Sequence, residues 1–210
     1  MRKASWFLVG FLYFVLIWLN QAQVDSLNSM PWMREVGLAV TLLSWSSILA
    51  YACHQTFSST QTVQSPKLKR LAGAGLGALL VQYILGALSR TYHAGLACPN
   101  FPSCSDGFFP SNFEGTLAFL HRWWGVLMLG LFIHLSIAAL KSGPELLRSA
   151  RRTSSLAVAQ VFLGIGVVMT QLHPDSRLCH VAVGYALWGI LLYIRVRTTE
   201  RASTATSASI

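Results

Sequence analysis

Acidic side chains are scarce in this chain. Seven Asp and Glu stand against sixteen Lys and Arg, and charged residues make up 11% of the 210. Soluble domains average about a quarter charged, so an ordinary water-facing surface is excluded, although the length would suit one or two soluble domains. Cysteine is also missing in one particular pattern. Cys53, Cys98, Cys104 and Cys179 include no C-x-x-C pair, which removes the zinc-knuckle and thioredoxin-like signatures.

Apolar residues are abundant, at 53%. About 20 in a row cross a bilayer, and six runs are candidates: Ser5–Asn20, Glu35–Ala52, Leu71–Ser89, Gly115–Leu140, Ser155–Leu172 and Leu178–Ile194. The expected fold class is all-α, a polytopic transmembrane bundle of six helices in a lipid bilayer. The first run is short and follows Met1-Arg2-Lys3, as a secretory signal does. The sequence "NQAQVD" behind it is a poor cleavage site, which favours a retained helix.

With the N-terminus inside and six alternating helices, the inner segments hold Arg2, Lys3, Lys67, Lys69, Arg70, Lys141, Arg148, Arg151, Arg152, Arg195, Arg197 and Arg201. The outer segments hold only Arg34, Arg90, Arg122 and Arg177. This positive-inside bias accounts for the net charge of +9 as topology and leaves no case for nucleic acid. It predicts a multi-pass protein of a bacterial inner membrane with both termini cytoplasmic and the loop "ACPNFPSC" outside. The expected organisation is two N-terminal helices and a basic loop over 1–70, a four-helix unit over 71–197, and a disordered tail over 198–210.

On the outer, oxidising side a Cys98–Cys104 disulfide is expected. It reads either as a loop staple or as a redox-active pair. Cys53, near the inner end of its run, reads as packing.

Internal repetition gives the chain its sharpest signal. "QYILG" at Gln82 matches "QVFLG" at Gln160, and "HRWWGVLMLG" at His121 matches "HVAVGYALWG" at His180. Each Q-x-x-L-G helix runs outward and each H-x-x-x-G helix inward, joined by the basic loop "KSGPELLRSARR". His121 and His180 therefore stand at equal depth on parallel helices, one or two turns below the outer surface. Ionisable groups inside a membrane are costly and usually functional. Gly125 and Gly184 share a face with their histidines and leave room for a flat group. The pair suits axial ligation of haem iron. Hydrogen-bonded structural histidines are the bland alternative. A bare copper site is weaker, since no Met or Cys cluster accompanies the pair.

Arg90 and Arg122 lie at the same level, where guanidinium groups either pair with haem propionates or snorkel to the interface. Trp123, Trp124 and Trp188 read as packing before haem lining. His134, 13 residues past His121, is about 220° round the helix and about 20 Å deeper, so it belongs to another place. His54, His93 and His173 read as boundary or loop residues, with His93 near enough to touch a haem edge.

Taken together and in order, "QYILGALSRTYHAGLACPNFPSC", "HRWWG", "QVFLGIGVV" and "HVAVGYA" resemble the haem A synthase family of cytochrome oxidase assembly proteins, over about residues 71–197. The resemblance implies oxidation of a methyl group of haem O to a formyl group, giving haem A. It matches His121 and His180 to a haem-holding histidine pair, expected to bind haem b, and Cys98 and Cys104 to an outer-loop cysteine pair. Typical members have eight helices in two four-helix halves, whereas this chain carries one full unit. The catalytic half of the family places a glutamate three residues before its first histidine; here Ala118 stands there, and Glu114 is seven residues before His121. The unit thus looks more like the half that keeps a permanent haem b. The family's usual Thr-Gly is altered as well, to Tyr92-His93.

Three functions compete on this basis. The first is a short haem A synthase, completed by a homo-oligomer or by haem O synthase and oxidase assembly partners. The second is a non-catalytic b-type haem protein for electron transfer or haem handling. The third, a quinone-linked disulfide oxidoreductase, lacks its C-x-x-C and a second outer cysteine pair.

Overall fold

The computed structural model of the chain describes residues 63–100, 103–104 and 108–199. The first two expected spans, Cys53 and His54, and the tail from residue 200 lie outside the described residues. Within them are four helices: α1 (Pro66–Thr91), α2 (Phe113–Ala138), α3 (Pro144–Met169) and α4 (Pro174–Arg197). All four are long and apolar enough to cross a membrane.

Local chemistry sets their ends. Pro occupies the first turn of α1, α3 and α4, where its missing N–H costs nothing and its fixed φ suits the helix. Asn112 caps α2 by accepting from Gly115 N at 2.7 Å. Gly143, at φ +87°, precedes α3 in a conformation that only glycine adopts freely.

The sequence "KSGPELLRSARR" is largely helical, contrary to the expected loop. Gly143 and Pro144 start α3 eleven residues before the expected Ser155. The reason is amphipathic spacing: Leu146, Ser149, Ala150 and Thr153 are buried while Arg148, Arg151 and Arg152 are less so. A hydropathy run registers the lipid-facing stretch and misses the charged turns that extend it.

Each helix packs against two others, in the cyclic order α1, α2, α3, α4, so α2 and α4 face each other across the bundle diagonal. One end carries the loop with Cys98 and Cys104; the other carries most of the basic residues. Large apolar side chains fill the basic half: Leu68, Phe132, Leu135, Leu146, Leu191 and Ile194 are nearly inaccessible. Small residues such as Ala72, Gly75, Ala150 and Ala157 let the helices approach closely there.

Polar clasps close this half. Ser154 Oγ lies 2.7 Å from Ser136 Oγ and donates to Phe132 O at 2.8 Å. Arg197, 6% exposed, donates to Glu145 Oε2 at 2.9 Å, and Tyr193 donates to the other carboxylate oxygen. Val63–Gln64 and Thr198–Thr199 form a two-residue parallel bridge beyond the helices. The expected tail thus begins with two paired residues.

Candidate functional site

The half of the bundle nearer the cysteine loop is built differently. His121 lies eight residues into α2 and His180 six residues into α4, about 12 and 9 Å below the helix starts. Because α2 and α4 are diagonal neighbours, the two rings meet across the bundle, with centroids 6.4 Å apart and planes inclined by 60°. Two imidazoles on opposite sides of one metal ion, each at a metal–nitrogen distance of about 2 Å, have ring centres about 6–6.5 Å apart. The pair fits an axially ligated haem by this test. Among the described residues, Nδ1 of each ring is buried and has no hydrogen-bond partner. Among the described residues no group of three His, Cys, Asp or Glu side chains converges in a way that could hold a metal ion.

Each histidine is seated by the neighbouring helix. A Cβ placed on Gly86 of α1 would come within 3.1 Å of His121 Cε1, and one on Gly164 of α3 within 3.3 Å of His180 Cε1. These are the glycines of the two Q-x-x-L-G elements. The glutamines make the reciprocal contact. Gln82 Nε2 donates to His121 O at 3.1 Å, and Gln160 Nε2 donates to His180 O at 2.9 Å. Their amides lie over Gly125 and Gly184, 3.4 and 3.3 Å from where a Cβ would be. The space expected for a flat group beside these glycines is thus taken by amides. Each helix pair is a mutual clasp: a ring on one glycine, an amide on the other. The spacing that could have shown this is in the sequence. Gln82 and Gly86 are four apart, as are His121 and Gly125, so each pair shares a helix face. Only the facing of the two helices was missing.

The repeat extends to the helix ends. His93 and Gln171, each eleven residues past its glutamine, both adopt left-handed φ, at 54° and 53°, and Leu172 follows at 63°. Non-glycine residues rarely sit there. Over the two ends, Leu172 packs on Gly95, so the two loops touch.

The loop above α2 is held by Arg122. Its guanidinium donates to Asn100 O at 2.9 Å and Cys98 O at 2.5 Å. Cys98 and Cys104 are buried with Cα atoms 4.3 Å apart and their Sγ atoms at bonding distance. Ala118, 4% exposed, packs into this cysteine cluster beside Phe119. Arg90 ends α1 half-buried at the same level. Trp124 donates from Nε1 to Ala78 O at 2.9 Å and packs, as does Trp188 against Tyr83. Trp123 joins Phe108 and Phe119 in an aromatic group near the loop. His93, His134 and His173 are exposed to varying degrees and stand apart from the paired rings, and His173 lies 3.7 Å from Asp175. Cys179 is an exposed free thiol.

Known proteins share this chain's sequence over most of its length. The family described as "Cytochrome oxidase assembly protein" (COX15-CtaA) matches residues 8–192. The "Heme A synthase" of Bacillus cereus strain ATCC 10987 is 26% identical over 94% of this chain and 69% of its own length. That of Bacillus cereus strain AH187 is 25% identical over 97% of this chain and 68% of its own. The protein of the same name from Bacillus anthracis strain CDC 684 is 26% identical, with coverages of 94% and 69%.

Proposed function

The chain belongs to the cytochrome oxidase assembly protein family, and from that premise we propose that it is a membrane oxidoreductase of haem A biosynthesis. Its reaction would be oxidation of the haem O methyl group to the formyl group of haem A, in service of oxidase assembly. One observation carries this reading: His121 and His180 face each other across the diagonal at matched repeat positions, at the separation an axial pair requires. When bound, the haem supplies a redox-active iron.

The chain's own residues do the rest. His121 and His180 would hold the iron, and Gly86 and Gly164 fix where the rings lie. Gly125 and Gly184 admit the amides that hold the two histidine backbones. Arg90 would offer charge to the propionates at the loop end. Arg122 ties the outer loop down over the site through Cys98 and Asn100, with Cys98 and Cys104 as a disulfide. The orientation is that of a bacterial inner membrane protein with the cysteine loop outside and the basic end, with both termini, in the cytoplasm. The four-helix unit of residues 71–197 is its haem-holding part.

Ala118 favours a second reading, a unit that keeps haem b for electron transfer. A carboxylate at this position would be buried against the cysteine cluster, where losing its hydration is costly. On the synthase reading the catalytic carboxylate would come from a second copy or an assembly partner.

The test is a reduced-minus-oxidised optical spectrum of the purified protein, with His121→Ala and His180→Ala alongside. A low-spin b-type spectrum that vanishes in both variants is the expected result. Haem A among the extracted pigments after supply of haem O selects the synthase over the haem b carrier. A wild-type protein that takes up no haem would overturn both readings.

A further inference from the structure

Away from the histidines, near the basic end, an open groove of about 420 Å³ runs between α2 and α3. Small-molecule sites have volumes of about 300–1,000 Å³. The wall on the α2 side is apolar: Ile133, Ile137 and Leu140 follow one another at helical spacing and are each about half exposed. On the α3 side stand Arg151 and Ser155, one turn apart on the same face. The other two serines of the groove, Ser136 and Ser154, are bonded to each other.

The groove is ordered from charge to hydrocarbon. Arg151 is seven residues into α3, about 10 Å from its start. A helix of 26 residues is about 39 Å long, whereas the hydrocarbon of a bilayer is about 30 Å thick. With the apolar turns of α3 in the hydrocarbon, Arg151 lies at the boundary with the headgroups. From that level Leu140, Ile137 and Ile133 lead about 10 Å towards the membrane centre, and Val158 and Phe162 continue the exposed apolar stripe on α3.

Charge selects the occupant. Arg151 and Ser155 have no hydrogen-bond or ion-pair partner among the described residues. The one acid of α3, Glu145, is engaged by Arg197 and Tyr193, and α2 carries none apart from Glu114 at its opposite end. Basic pockets between membrane helices take anionic lipid headgroups. We propose that this groove binds an anionic phospholipid, with the phosphate on Arg151 and Ser155 and one acyl chain along Leu140, Ile137 and Ile133. The site is independent of the haem reading above.

The experiment titrates the full chain, delipidated in a neutral detergent, with phosphatidylglycerol and separately with phosphatidylcholine of the same acyl chains. Native mass spectrometry counts the lipids retained. One phosphatidylglycerol per chain should be held at concentrations where phosphatidylcholine is not. Arg151→Gln should weaken retention roughly tenfold or more, the scale of one hydrogen bond to a charged group. Ile137→Trp, which fills the groove and leaves the charge unchanged, should do the same. Arg152→Gln removes an equal charge about 100° round the helix and should change retention less than about twofold. Equal retention of the two lipids by the wild type overturns the proposal, and this result needs no variant to fold. So does equal weakening by Arg151→Gln and Arg152→Gln, which would mark a diffuse attraction or an arginine that only snorkels. Full retention by a folded Ile137→Trp overturns it too. A lipid-free wild-type dimer that Ile137→Trp abolishes would assign the groove to a second copy and overturn it as well.

Discussion

Single residues in this bundle act through what a helix neighbour lacks. Gly86 and Gly77 both lie in α1, nine residues apart, yet a Cβ on Gly77 would meet nothing within 4 Å while one on Gly86 would press on His121. Helix propensity favours alanine over glycine by up to about 1 kcal/mol, so Gly77→Ala should be neutral or slightly stabilising. Gly86→Val should displace the ring and lower haem affinity roughly tenfold or more, the usual scale for losing a ligand's support. Parallel porphyrin titrations of the two variants, with circular dichroism to confirm helix content, check this contrast. Equal affinities would show that the ring does not depend on its glycine seat.

At the scale of an element, α2 carries most of the site and depends on its cap and its arginine. Asn112 satisfies one of the N–H groups that every helix start leaves open. Asn112→Ala should cost about 1 kcal/mol, seen as a lower unfolding midpoint in detergent. Arg122 ties residues 98–100 to α2. In Arg122→Ala, limited proteolysis of the outer loop should therefore become several-fold faster. An arginine that merely snorkels would leave the loop equally resistant. The start of α3 belongs to this scale too. Its basic residues looked like a loop because hydropathy averages over a window, whereas helix continuity depends on the single buried face of Leu146, Ala150 and Thr153.

For the whole molecule, the two halves of the bundle rest on different forces. The basic half is closed by apolar packing and by interhelical hydrogen bonds worth about 0.6 kcal/mol each in membranes; Ser154→Ala, which removes two of them, should cost about 1 kcal/mol. The half with the histidines has fewer large apolar side chains buried in it, and there the proposed haem would add stability that packing does not. At a hundred-fold excess over its dissociation constant a ligand adds about 2.7 kcal/mol, more than several such bonds. Haem should thus raise the unfolding midpoint of the wild type and leave that of His180→Ala where it was. Scanning calorimetry with and without ferric protoporphyrin IX decides this, and an equal rise in both would place the porphyrin elsewhere. In a Cys53→Ala, Cys179→Ala background, the proposed orientation predicts that a membrane-impermeant thiol reagent labels Arg177→Cys in intact cells and Lys141→Cys only after lysis.

Much of this was legible along the chain, because the signals are local. Apolar runs mark spans wherever they fold, and the fixed rise of a helix places His121 and His180 at equal depth once the repeat is seen. The matched Q-x-x-L-G and H-x-x-x-G spacings likewise put each polar residue and its glycine on one face. What the chain order could not determine is which faces meet. That His121 rests on Gly86, that Gln82 lies over Gly125, and that Arg122 turns to the carbonyls of Cys98 and Asn100 are contacts between distant segments. They depend on the rotation of each helix about its axis, and that rotation is set jointly by all four helices as they pack. Sequence determined the candidate ligands and their depth; tertiary packing decided what surrounds them.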